Sequence, residues 1–561
     1  MNALFEYTLF FFQILIFSIF ISGCGLLLQK AIFNGDKNES FEENGLYGFI
    51  FISFISIFIN FFFPLSTLVN TVVFILLVLI IIKYGFFNQS KIKLIKYALL
   101  VSLLSFILII HANVNNPDAL LYHLPYSKII NENKVIIGIA NVDHRFAHTS
   151  IFQYISSFFN NVFFREKGLL IPISVLTSFF LIYLYKQYNS LFKNKICRAN
   201  SYAIFLILII SIYSFSRYSN FGNDAQVHIY YFLLITLIFK YNFDYKDNLF
   251  LKKISVIALF TLLLKPFYVF SLIIPFVILL LNKNYNIFFR SMFFAFSLLF
   301  SIMWFFKNLL VSGCLIYPIK FTCNKKIFWT SQDIEMQRLL GEAMSKDWQN
   351  KINETISLRG YISNFEWVYT WTQNHFNVII EKIIPVLLFL ILNIFFLYLF
   401  NFFEKKILKK INLLQWLLLF ATFTGCLIWF LKFPIYRYGY SYLYSFLIIL
   451  FYIFILNKLN LEKLLIIKKY LNILIIISLF GFIFKNLNRI NNKINDPIIP
   501  HLFDNINHKN LSKRIFNNSG VFTHFIKIDG SLCGYSPSPC SNKNKSINLK
   551  KKYGYSLYYI K

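Results

Sequence analysis

Three features of the sequence predict an all-α polytopic membrane protein: scarce charge, long apolar blocks, and basic clusters confined to alternate connecting segments. Only 14% of the 561 residues are charged and 57% are hydrophobic, against roughly 25% charged in a soluble domain. The net charge of +31 raises nucleic acid as a partner. The lysines sit between apolar blocks, however, which points to membrane lipid and to no nucleic acid. The 71 Phe and 35 Tyr occur beside only 19 Gly, a skew that AT-rich coding produces, so no aromatic stripe is assigned a binding role on frequency.

In chain order the apolar blocks place membrane segments at 5–31, 46–63, 67–87, 96–112, 168–187, 201–216, 226–240 and 254–264. Others fall at 268–282, 286–311, 379–401, 413–431, 440–457 and 470–485. That makes about fourteen, given a span of about 20 residues. The pair around Lys265-Pro266 is short and reads as two short spans or one kinked helix; two spans keep the later basic clusters on one side. Those clusters are Lys91/Lys93/Lys96, Lys193/Lys195/Arg198, Lys246/Lys252/Lys253, Lys405/Lys406/Lys409/Lys410 and Lys458/Lys463/Lys468/Lys469. The positive-inside rule makes them cytoplasmic.

Both termini then face the non-cytoplasmic side. The chain divides into N-terminal transmembrane helices (1–112), an external loop (113–167), central transmembrane helices (168–311), a second external loop (312–378), C-terminal transmembrane helices (379–485) and an external tail domain (486–561). Met1 to Phe12 carries no basic residue and no signal-peptide pattern. The acidic stretch Asp36 to Glu43 falls inside, where acidic residues weigh little. Of seven Cys, Cys314 with Cys323 and Cys533 with Cys540 form close pairs in external segments. A disulfide in each suits an oxidising compartment, with four unbonded thiols or a metal site as alternatives. Cys24, Cys197 and Cys426 read as free.

The first external loop carries the chemistry candidates. Asn116-Pro117 resembles a helix start, which puts Asp118 in the first turn, where the helix dipole favours a carboxylate. Leu120, Leu121, Leu124, Ile129 and Ile130 suggest a helix lying on the membrane from Ala119 to Asn131, interrupted at Pro125. A second such helix is expected from Thr149 or Ser150 towards Phe164. His144 and His148, with His123 nearby, leave a divalent metal open, though loop histidines are more often hydrogen-bonded structure.

A multi-pass chain with an acidic residue on a surface-lying helix of an early external loop resembles the GT-C class of glycosyltransferases. Asp118-Ala-Leu-Leu-Tyr-His-Leu-Pro125, Asn141 to Ala147, Ser312 to Pro318, Trp429 to Gly439 and Cys533 to Cys540 are similar to a family of uncharacterised bacterial membrane proteins related to that class. The resemblance implies a polyprenyl-phosphate-linked sugar as donor and the bacterial inner membrane as location. Asp118 departs from the class in having Ala119 beside it instead of a second acidic residue, and about four segments precede the loop where many members have one.

Sugar transfer from a lipid phosphate needs a carboxylate at the acceptor and cations at the leaving phosphate. The carboxylates expected there are Asp118 and, in Asn220 to Ala225, Asp224; each is also an ordinary helix-start residue. Asp143 reads as a solvated loop residue. Tyr122 and His123 flank the site. For the phosphate the candidates are Arg145, Lys265 and Arg437. Lys265 lies in an apolar stretch where a cation costs about 2.5 to 3.5 kcal/mol at the bilayer centre. Snorkelling to headgroups is the alternative for Lys265 and Arg437. Trp329, Trp348, Trp367 and Trp371 suit sugar stacking or interfacial anchoring equally. A lipid or polysaccharide transporter, or a non-catalytic protein of envelope glycan assembly, would share the same helices; no internal repeat is evident.

Overall fold

The computed structural model describes residues 3–33, 40–84, 86, 91–112, 118–148, 150–215, 221–222, 224–282, 285–348, 357–403, 411–493, 511–516, 522–527, 532–541 and 547–560. Their helices are α1 Ala3–Phe33, α2 Phe41–Phe62, α3 Thr67–Lys83, α4 Lys91–Ile109, α5 Leu124–Glu132, α6 Phe152–Phe158, α7 Ile171–Lys193, α8 Arg198–Ser214, α9 Asp224–Lys240 and α10 Asn248–Leu264. After these come α11 Ile273–Asn282, α12 Tyr285–Phe289, α13 Met292–Ser312, α14 Ile334–Ser345, α15 Leu358–Ser363, α16 Trp367–Val378, α17 Ile384–Leu399, α18 Leu413–Lys432, α19 Tyr436–Phe454 and α20 Leu464–Asn491. Short strands β1 Leu511–Phe516, β2 Phe522–Lys527, β3 Cys540–Ser541, β4 Asn548–Lys552 and β5 Tyr555–Tyr559 follow.

Over their described residues, the fourteen apolar segments fall mainly on helix. Among the described residues nine helices are long and apolar enough to cross a membrane, and Thr67–Lys83 and Pro266–Asn282 are shorter apolar helices. The architecture is mostly helical and consistent with a multi-pass membrane protein. The helices α8, α9 and α10 form the centre, α9 being buried at every residue from Ala225 to Phe239. Lipid offers no hydrophobic drive between helices, so small residues and polar cross-links hold such a bundle together. Small residues occur at the α1–α2 crossing, and polar cross-links tie α2 to α7, α9 and α10. A Cβ at Gly25 would lie 1.7 Å from the Asn44 carbonyl oxygen, and one at Gly48 would lie 2.0 Å from that of Ile21.

The polar cross-link is ionic. The acidic stretch is not a simple loop: α2 begins at Phe41, so Glu42 and Glu43 enter its first turn, which the dipole favours. Both are buried. Glu43 pairs with Lys240 at 2.9 Å and Lys253 at 2.8 Å, and Glu42 pairs with Lys186 at 2.7 Å. Lys253, expected in a cytoplasmic loop, instead lies inside α10.

Other local expectations change in a physical way. Pro125 does not interrupt its helix. A π-helical turn, Ala119–His123, widens the preceding backbone, and Pro125 enters at the start of α5, where a missing N–H costs nothing. The buried face of α5 packs on α6, so it is no free-lying surface helix. The second surface helix shortens to Phe152–Phe158, because the Asn161 side chain turns the chain by accepting from Phe163 and Phe164 N–H. At Lys265 the backbone is extended, and a 3-10 turn, Pro266–Leu272, leads into α11, which packs back on α10. The segment 286–311 divides into α12 and α13. The Asn116-Pro117 start lies outside the described residues.

The tail is laced onto the segment between α4 and α6. Gly534 N donates to Leu120 O at 2.8 Å, Tyr535 Oη to Asn131 Oδ1 at 2.8 Å, and Tyr558 N to Ile137 O at 2.8 Å. Cys533–Cys540 and Cys314–Cys323 are disulfides, while Cys24, Cys197 and Cys426 are free.

Candidate functional site

Four helical elements end at one place. The π turn begins after Asp118, α9 begins with Asp224, α10 ends at Lys265, and α19 carries Arg437 in its first turn. Three of these placements follow from the dipole, which favours carboxylates at helix starts and a cation at a helix end. Arg437 sits against its own helix dipole and is offset by neighbours. Its Nη2 lies 3.0 Å from Asp118 Oδ2, and its Nε lies 3.8 Å from Asp224 Oδ2. Lys265 Nζ completes the row at 2.7 Å from Asp224 Oδ1. The charges thus alternate as Lys265, Asp224, Arg437, Asp118. Asp118 is the most open of the four at 41% exposure, against 18% for Asp224.

Tyr438 joins the row: Lys265 Nζ stands 3.6 Å from its ring centroid and the Arg437 guanidinium 5.3 Å. Such contacts hold a cation without a formal charge. Tyr122 and His123 lie in the π turn directly after Asp118. His123 is buried and meets Gln153 Nε2 at 3.2 Å through Nδ1. Burial pushes its pKa down to about 4, against the opposing pull of Asp224 and Asp118. It is therefore neutral at pH 7. Burial, with Asp118 close by, raises the pKa of the Tyr122 phenol.

The structure brings together Asp118, Asp224, Lys265, Arg437, Tyr122 and His123. Arg145 is engaged elsewhere: Nε donates to Asp143 Oδ1 at 3.0 Å and Nη2 to Oδ2 at 2.9 Å. Asp143 is no solvated loop residue; it is buried and caps the turn His144–Ala147 by accepting from Arg145 N–H. The loop tryptophans are largely structural. Trp367 and Trp371 are buried with Ala343 and Tyr361, and Trp329 Nε1 donates to Leu309 O.

A divalent ion shared by Asp118 and Asp224 would have to displace the guanidinium that bridges them. His144 stands against Asp143 at 3.5 Å, and His148 packs edge-on against Tyr317. Among the described residues no three His, Cys, Asp or Glu side chains converge. The geometry suits a carboxylate base beside paired cations better than a metal centre.

Sequence reasoning missed Tyr438, His228, Tyr268 and Ser441. A signal existed for two of them: His228 follows Asp224 by four residues and Ser441 follows Arg437 by four, the spacing of one helical face.

A mostly helical bundle with apolar helices of spanning length, and charged residues gathered where helix ends meet, defines a class of protein consistent with multi-pass membrane proteins. Residues 7–444 match the model of a family described as a domain of unknown function, DUF8201, and the chain belongs to that family. All four charged residues lie inside the matched region. No curated protein and no solved structure matches the chain.

Proposed function

We propose that this chain is a GT-C-like integral membrane glycosyltransferase. It moves a sugar from a polyprenyl-phosphate donor to an envelope glycan, lipid or protein acceptor on the non-cytoplasmic face of a bacterial inner membrane. The observation that carries the reading is the row Lys265, Asp224, Arg437, Asp118 at four converging helix ends, with a carboxylate at its open end. About fourteen spans would place that row outside together with both termini.

On this reading Asp118 takes the proton of the acceptor hydroxyl as the new glycosidic bond forms. The bond from sugar to phosphate breaks, and its electron pair leaves with the polyprenyl phosphate. Arg437 and Lys265 receive that charge, Arg437 by forked hydrogen bonding. Asp224 acts as their counter-ion and keeps two cations side by side while no phosphate is bound. Neutral His123 and Tyr122 offer hydrogen-bonding groups beside Asp118. A positioned base contributes about 10²- to 10⁴-fold in rate, and a preorganised charge contact about 10²- to 10³-fold.

The test is transfer of radiolabelled sugar from polyprenyl-phosphate donors into envelope glycans, comparing wild type with Asp118→Asn at matched membrane levels. Transfer by wild type that disappears in the variant supports the reading. Equal transfer by both removes Asp118 as the base, and no transfer by either across a broad donor panel favours a transport or assembly role.

A further inference from the structure

The five-residue segment that presents Arg437 is held from outside by ring donors of four different elements. Pro434 O accepts from Trp371 Nε1 of α16 at 2.6 Å, and Ile435 O from Trp429 Nε1 of α18 at 2.9 Å. Arg437 O accepts from His228 Nε2 of α9 at 2.9 Å, and Tyr438 O from Tyr268 Oη of the 3-10 turn at 3.2 Å. Gly439 permits the approach of Trp429, since a Cβ there would lie 2.1 Å from the indole.

His228 is the centre of this cradle. A carbonyl can only accept, so Nε2 carries the hydrogen, leaving Nδ1 to face Ser441 Oγ at 2.8 Å and Tyr268 Oη at 3.0 Å. Tyr440 stacks on the imidazole at 3.6 Å. The side chain is fully buried. Three of the four charges thus have a buried polar residue three or four positions further along the chain: Asp224 with His228, Arg437 with Ser441, and Lys265 with Tyr268. The first turn of a helix frays readily, and here that turn holds an arginine the dipole disfavours.

We propose that His228 is a positioning residue for Arg437: by bonding the Arg437 carbonyl it fixes the first turn of α19, so that the guanidinium is aimed between Asp118 and Asp224. The inference rests on the proposed function only for its consequence in transfer; the placement of Arg437 is read directly.

The experiment is phenylglyoxal modification of the full chain in nanodiscs at constant pH, with each arginine quantified by peptide mass spectrometry. His228→Asn keeps a polar group near Ser441 but cannot reach the Arg437 carbonyl, whereas His228→Gln places an amide N–H near the Nε2 position. Arg437 is expected to react several-fold faster in His228→Asn, as in the release control Asp118→Asn, and near the wild-type rate in His228→Gln. Arg145, locked on Asp143, is expected to keep its rate throughout. Equal Arg437 rates in wild type and His228→Asn overturn the proposal, and so does a parallel rise at Arg437 and Arg145, which marks general loosening. If His228→Asn does not reach the membrane, His228→Ser, which likewise cannot reach the Arg437 carbonyl, replaces it with the same expectation and the same overturning result. In the transfer assay His228→Asn is expected to raise KM for the donor more than it lowers kcat. A responsive Arg437 without any transfer would remove the glycosyltransferase reading and leave this one standing.

Discussion

Two of the chain's ionic clusters, each of two carboxylates and two or three cations, differ in exposure. The cluster at the start of α2 joins Glu42 and Glu43 to Lys186, Lys240 and Lys253, with both carboxylates buried. The cluster at Asp118 uses groups at helix ends, and each of its members is 18 to 41% exposed. In the first, removing one partner strands buried charge, so it acts as a cross-link between α2, α7, α9 and α10. In the second the charges can exchange partners with a ligand. Both clusters use carboxylates at helix starts, so exposure, more than position along the helix, separates them.

The contrast breaks most sharply in activity. Asp118→Asn is expected to lower sugar transfer by about 10²- to 10⁴-fold with unchanged membrane levels and melting temperature, measured side by side in nanodiscs. A variant that lost stability along with transfer would make the outer cluster a cross-link too. Glu43→Gln is the converse: it leaves Lys240 and Lys253 facing a neutral amide in the bundle. Removing one partner of a buried pair costs about 3 to 5 kcal/mol, so folded protein recovered from membranes should fall steeply. Normal yield and melting temperature would sink the cross-link assignment.

A smaller effect sharpens the Asp118 side. The folded pKa of His123, about 4, is depressed below the ordinary 6.5, so the unfolded chain binds the proton more readily. Its contribution is fully present above pH 6.5 and is lost as pH falls from there through about 4, amounting to about 2 kcal/mol by pH 5. His123→Gln should flatten the fall in melting temperature between pH 7 and pH 5; an unchanged slope would show that other groups govern it. An effect of similar size concerns the tail. Replacing Cys533 and Cys540 by Ser opens a short loop whose closure contributes about 2 kcal/mol, and it loosens the segment that bonds Leu120. Faster protease release of the tail, with little change at the inner cluster, is the expected outcome.

Much was legible in the chain because the signals were local. The apolar blocks marked helices from Ala3–Phe33 to Leu464–Asn491, since a span must satisfy its own backbone and needs a fixed run of apolar residues. Asp118, Asp224, Lys265 and Arg437 stood out as charges at the margins of such runs. Arg145 stood out in the same polar loop as Asp118, and only its pairing with Asp143 removed it from the group. Pro125 marked a break because sequence rules describe an α-helix, and the π turn that accommodates it has no sequence signature of its own.

By itself, then, the sequence determined that the chain folds as apolar helices and which few ionisable groups are available for chemistry. Only the tertiary structure decided that residues 118, 224, 265 and 437 form one row and that Glu42 and Glu43 are buried. It also decided that Trp371, Trp429, His228 and Tyr268 converge on a single turn. Helix formation depends on spacing within one segment, whereas these pairings, that of Trp429 with Ile435 apart, join residues 41 to 319 positions apart and depend on how the helices pack.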